Sequence, residues 1–163
     1  MKAVLSILLF ILSITFSFAQ NFYTTYSKTE YFTLLSNIDN DSLLNKITVK
    51  DSIVKGELYL KYSLTGYYKD GKVSKIELNF DSKLGLIKEV YYFDSQEFLI
   101  YTLIEEFKYD ILISEFEVQL YGKDKILFIF DGFQTTLKDE ESKNVLKLIK
   151  EDIKYYKELL KKK

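Results

Sequence analysis

Between Glu57 and Phe80 the chain alternates apolar and polar side chains on both sides of Lys69-Asp70-Gly71. Leu58, Leu60, Tyr62, Leu64 and Tyr68 share one parity before that turn, and Ile76, Leu78 and Phe80 share one after it. Period-two alternation around a glycine-containing turn predicts a β-hairpin. Slipping a strand by one residue turns its side chains to the opposite face, so parity constrains the register. A two-residue loop at Asp70-Gly71 sets Leu64 against Glu77. A three-residue loop sets Leu64 against Ile76, Tyr62 against Leu78 and Leu60 against Phe80, and is the expected arrangement. Its other face then pairs Thr65 with Lys75, Ser63 with Glu77 and Lys61 with Asn79.

The pattern continues as a meander. Asp81 to Gly85 reads as a turn, and Leu86–Phe93 and Phe98–Phe107 as strands joined through Asp94-Ser95-Gln96. The latter two are apolar on both parities, Leu99, Tyr101 and Leu103 against Phe98, Ile100 and Ile104, as in strands covered on both faces. Tyr109 to Ile113 keep odd parity whereas Phe116, Val118 and Leu120 keep even, so a bulge or break is expected near Ser114-Glu115. Gly122-Lys123-Asp124 turns the chain into a last strand, Ile126–Asp131. An aromatic pair entering a polar turn recurs at Tyr67-Tyr68 and Tyr91-Tyr92, with Leu120-Tyr121 a fainter echo, at unequal spacings that suit repeated hairpins and not a solenoid.

Helical period appears at the two ends. Thr136-Leu137-Lys138-Asp139 resembles a capping box, and Val145, Ile149, Ile153, Tyr156 and Leu160 then recur on one stripe, with lysines outward and at the C-terminal end. Nearer the start, Thr29 to Leu35 suits one or two helical turns. Asp39 to Lys46 suits a short capped helix with Leu43, Leu44 and Ile47 inward, followed by a short strand over Ile47–Val54. The expected fold is α+β: a single antiparallel β-meander sheet of about six to eight strands, a long C-terminal amphipathic helix on one face and a small N-terminal helical segment. Its parts are an N-terminal segment at 20–55, the meander at 56–131 and the helix at 136–161.

Lys2, the apolar run Val4 to Leu12 and the small-x-small site Ser17-Phe18-Ala19 predict a secretory signal peptide over 1–19, its apolar run too short for a membrane span. Residues 20–163 then form a single domain, exported to the periplasm or secreted, with no transmembrane span after cleavage. The chain has no cysteine, which excludes a lipoprotein anchor and disulfides, so the core must suffice alone. The formal net charge is −1 and every basic residue is lysine. That balance argues against nucleic acid. Without arginine there is no planar fork for carboxylate or phosphate, and without histidine no side chain that ordinarily titrates near neutrality.

Candidate chemistry is sparse. Ser52-Ile53-Val54-Lys55 matches the S-x-x-K nucleophile spacing, but Gly56 and a strand follow it and no S-D-N or K-T-G partner exists. Asp39-Asn40-Asp41 resembles the start of a calcium loop, yet Leu44 and Lys50 stand where the turn glycine and bidentate glutamate belong. A helix cap suits it better. Glu115 and Glu117, two apart on one strand face, could act as acid and base on a sugar bond. No cofactor or metal is implied. Tyrosine is in excess at 14 residues, and on the polar face of the first hairpin Tyr59, Lys61, Tyr67 and Lys75 form a candidate aromatic and cationic binding patch.

The GYYKDGKV hairpin, the EVYYFD strand and the FEVQLYGKDKILFIF hairpin, behind a signal peptide, resemble exported β-meander proteins of AT-rich Gram-negative bacteria. More distantly they resemble the aromatic-Gly-Lys hairpin repeats of MORN-like and antitoxin-type proteins. The likeness covers roughly residues 56–131, and departs at Ser95-Gln96-Glu97, where a Gly-Lys turn is expected. It implies an exported antiparallel meander and no activity. The function expected is a non-catalytic binding or interaction module for a protein or glycan. The alternatives are a cofactor-free, glycosidase-like hydrolase using carboxylates and a self-associating structural protein of the envelope.

Overall fold

The computed structural model describes residues 28–55, 58–82, 85–121, 125–131 and 139–162. The expected leader at 1–19 and the cap at Thr136 lie outside them. Helix α1 (Lys28–Asp39) precedes seven strands, β1 (Asn45–Lys55), β2 (Leu58–Lys69), β3 (Lys72–Ser82), β4 (Gly85–Phe93), β5 (Leu99–Lys108), β6 (Ile111–Tyr121) and β7 (Lys125–Asp131), and helix α2 (Asp139–Lys161) follows. The strands form one antiparallel sheet in chain order. This is the expected α+β meander with a C-terminal helix. The chain divides into two compact units between Ser36 and Asn37, the second holding the sheet and α2.

The first hairpin corrects the expected register. Its loop is the two-residue Asp70-Gly71, with φ of 50° and 77°, and Lys69 pairs with Lys72. Both central residues left-handed is the turn whose twist matches that of paired strands, and Asp-Gly suits it. Parity is then restored by a bulge: Tyr68 pairs with Val73 but Tyr67 with Lys75, leaving Ser74 unopposed. Leu64 therefore faces Leu78, Tyr62 faces Phe80 and Gly66 faces Ile76. The apolar and polar faces are as expected, but every pair is offset from the three-residue-loop register.

The same device recurs. Ile100 is unopposed between Leu99 and Tyr101, Ile113 between Leu112 and Ser114, and Leu127 between Ile126 and Phe128. Each extra residue lies on the strand leaving a turn, two or three positions in, where it bends the strand and adds twist. The bulge at Ile113 is the phase change read from the sequence. That at Ile100 separates Leu99, which shares a face with Phe93, from Tyr101 and Leu103, so those three do not form one stripe.

The N-terminal expectations need a second correction. Only Lys28–Asp39 is helical; residues 40–43 turn, and β1 begins at Asn45. Leu43 is exposed and Ile47 lies on an edge strand, so neither is inward on a helix. Asp41 accepts the Leu43 backbone N–H, and this side-chain turn competes with continued helix. The meander thus starts earlier than residue 56.

Helix α2 buries Leu146, Ile149, Ile153, Tyr156 and Leu160 against Leu64, Ile76, Leu78, Tyr91, Val118 and Leu120. At 23 residues it reaches about 34 Å. Its close approach is eased by Gly66, where a Cβ would come within 2.8 Å of both Leu160 Cδ1 and the Tyr68 ring and one of them would have to shift. Among the described residues no helix is long and apolar enough to cross a membrane. Leu160→Ala is expected to destabilise by about 2–5 kcal/mol and Gly66→Ala by about 1–3 kcal/mol. The cost of Gly66→Ala should shrink in the Leu160→Ala background, where the added methyl finds room. Urea unfolding of the two single variants and the double variant measures that coupling, and strict additivity would contradict the contact.

Candidate functional site

Two of the four expected patch residues are brought together and two are not. Tyr67 and Lys75 are direct cross-strand partners. Lys61 pairs with Asp81 at the far end of β2, six residues or about 20 Å along the strand. Tyr59 stands opposite Val54 on the backbone, and its side chain lies outside the described set. The four residues do not form one patch.

Tyr67 and Lys75 belong instead to a rung that crosses the polar face. Lys46 pairs with Tyr67, Tyr67 with Lys75, Lys75 with Tyr92, Tyr92 with Tyr101 and Tyr101 with Gln119. Cations and rings alternate along its first part. Lys46 Nζ lies 5.1 Å from the Tyr67 ring centre, and Lys75 Nζ lies 5.3 Å from that ring and 5.1 Å from Tyr92. Tyr92 and Tyr101 then meet edge to face at 5.8 Å. Such contacts contribute about 0.5–2 kcal/mol each, more where water is excluded.

Lys75 is the centre of charge. Its side chain is only 11% exposed and makes ion pairs at 2.6 Å with both Asp39 and Glu77. Tyr92 donates its hydroxyl to Asp39, and Tyr67 donates to Glu77. Burial pulls the Lys75 pKa down, but the hydrogen bonds to the two carboxylates outweigh it and hold the ammonium above its usual range. Both phenols are pushed up to about 12, foremost by burial. Nearby, Lys69 holds the Asp41 carboxyl below its usual value and is itself raised. Asp39 and Asp41, the carboxylates of the calcium-like triplet, are thus taken by lysines. Ser52 sits on edge strand β1, with no helical turn to bring Lys55 to it.

A second polar cluster lies under α2. Glu89 accepts hydrogen bonds from Tyr91 at 2.7 Å and Tyr156 at 3.0 Å, which ties the helix to β4 through a half-buried carboxylate. Burial raises its pKa foremost, the two phenols oppose that, and Asp152 adds to it. Glu115 and Glu117 lie on the polar face, Glu115 opposite Glu105. Glu117 accepts a hydrogen bond from Gln119.

The surface that sequence reasoning missed is the end of the β5–β6 hairpin. Tyr109 and Asp110 form its two-residue loop with φ of 52° and 63°, a left-handed pair built without glycine. Tyr109 is 84% exposed, Ile111 66%, Leu112 44% and Ile113 52%. Leu112 shares the face of Phe107, and the bulge at Ile113 re-aims the next side chains, so the ribbon end is apolar on both sides. Four apolar residues on both parities around a lone Asp, Tyr109 to Ile113, were the available signal, and strand propensity masked it. No family model, curated protein or solved structure matches the chain.

Two outcomes test these clusters. A tyrosine whose folded pKa is raised from 10.0 to about 12 supports stability fully below the unfolded value and loses it as pH climbs through the folded one. Stability is therefore expected to fall between pH 10.0 and about 12. Lys75→Met should cost about 2 kcal/mol at neutral pH and move both phenol titrations further up, read by tyrosinate absorbance. For Glu89 the sign reverses in consequence. A carboxyl with a raised folded pKa carries no penalty below its unfolded value of 4.5 and the full penalty once ionised. Glu89→Gln should therefore gain stability over the parent at about pH 7 and little at about pH 4. A pH-independent difference in thermal unfolding would contradict this.

Proposed function

We propose that the chain is an exported, non-catalytic interaction module whose contact surface is the end of the β5–β6 hairpin. The observation that carries this reading is the exposure of Tyr109, Ile111, Leu112 and Ile113 together at one hairpin end. Scattered exposed apolar residues are ordinary, but a contiguous group held on a well-paired hairpin is what a docking surface requires. A left-handed Tyr-Asp loop is costly to hold, and such backbone concentrates at functional positions. At the Lys75 rung, by contrast, Lys75, Tyr67 and Tyr92 are satisfied by Asp39 and Glu77, as suits a structural element. Export rests on the leader read at residues 1–19.

Ile111→Asp combined with Ile113→Asp leaves the buried core untouched. Lysine-directed crosslinking of the natively processed protein in its own envelope, followed by mass spectrometry, should give links through Lys108 that the double variant loses by about tenfold or more. Equal yields of the same links from the parent and the variant would remove the hairpin end from the binding surface.

A further inference from the structure

We infer that the hairpin end of one copy seats in a lysine-rimmed apolar crevice of a second copy, so that the chain associates head to tail. This rests on the reading of the hairpin end as the contact surface and names its partner. The crevice lies where the β4–β5 end of the sheet meets α2. Its volume is about 210 Å³; Phe93, Leu99 and Leu120 line it from the sheet and Leu146 and Ile153 from the helix. A cavity of about 150 Å³ with such walls accepts benzene. The space therefore suits one or two side chains of the size of isoleucine.

Charge and placement both match. Glu97, Phe98, Lys150 and Lys157 complete the crevice lining, and Lys147 and Lys154 continue along the exposed helix around Glu151, so lysine outnumbers glutamate at this rim. Lys157 lies over the Phe93 ring at 4.7 Å and 3.4 Å from Glu97, whose carboxylate also accepts the Val73 backbone N–H, so this part of the rim is held in position. Behind the hairpin end stand Glu105, Glu106 and Glu115, with Glu105 and Glu115 directly opposite each other across the strands. Lys88 on β4 stands opposite Glu105 and offsets one of these charges; Glu106 and Glu115 remain, and a lysine rim complements them.

The two surfaces also sit at opposite ends of one strand. Leu99 in the crevice begins β5 and Lys108 before the hairpin end finishes it, so the 10-residue strand sets them about 30 Å apart. One copy cannot fill its own crevice with its own hairpin end. Two different surfaces in contact make a heterologous interface, which propagates along the strand direction unless a rotation closes it into a ring.

Sedimentation velocity of the natively processed protein over a concentration series tests this. The sedimentation coefficient should rise with concentration for the parent and stay monomeric for Ile111→Asp/Ile113→Asp. Glu106→Lys and Lys150→Glu, both at exposed positions, should each weaken association about three- to tenfold. An equimolar mixture of these two should recover it, because each hairpin end then meets a rim of opposite charge. A parent that stays monomeric to about 1 mM, or a mixture no stronger than its components, overturns the inference. If the parent is monomeric while the crosslinking still finds a different protein lost with the hairpin variant, the interaction reading stands and only the second copy fails. If the hairpin variant associates as the parent does, both fail.

Discussion

The constraint on which this domain depends is that one amphipathic helix must bury the apolar face of a seven-stranded sheet without help from a disulfide. The helix does so by lying close, and the closeness is eased by the missing side chain at Gly66 under Leu160. Hydrophobic burial has no direction of its own. The polar link from Glu89 to Tyr91 and Tyr156 supplies one, since a carboxylate drawn partly out of water is favoured where its hydrogen bonds are made. The helix is thereby held in one place along β4 rather than merely attracted to the sheet.

The opposite face is organised by different forces. The Lys75 rung replaces apolar packing with a cation held between two rings and two carboxylates, and Asp39 brings the end of α1 to the sheet. Lysine performs here what arginine does in most proteins, and burial with two acceptors compensates for the planar fork it lacks. Exposed apolar residues occur singly elsewhere, at Leu43 and Leu148 among others, but four stand together at the end of β5 and β6. Geometry then makes that end available: a hairpin end apolar on both sides cannot bury both of them against the one sheet it belongs to.

Much of this architecture was legible because period-two and period-3.6 patterns are written strongly in Leu58 to Phe80 and in Val145 to Leu160. The division of the hairpin into an apolar and a polar face followed from parity alone. The pairing did not, because an extra loop residue and an extra bulge residue change parity in the same way, and only backbone twist chooses between them. Asp39 to Lys46 misled for a local reason: an Asp that caps a helix and an Asp that closes a turn accept the same kind of N–H. The candidate patch failed along the strand. Tyr59, Lys61, Tyr67 and Lys75 were grouped from the hairpin alone, whereas Lys75 is held by Asp39 from α1 and flanked by Tyr92 from β4. Contacts between distant segments leave no periodicity to read. The hairpin end at Tyr109 was hidden by its own composition, since exposed and buried isoleucine look alike in a sequence.

The recurring bulges have a consequence for how such a chain can change. Each sits just inside its turn and resets the reading frame of the strand that follows. A residue gained or lost at a hairpin end can be absorbed there, by forming or dissolving a bulge, before it reaches the rung or the helix-facing core. The ends of the hairpins are in this sense insulated from the body of the sheet. Recognition sequences could be rewritten at the Tyr109 end over generations while Lys75 keeps its carboxylates and Leu160 keeps its glycine.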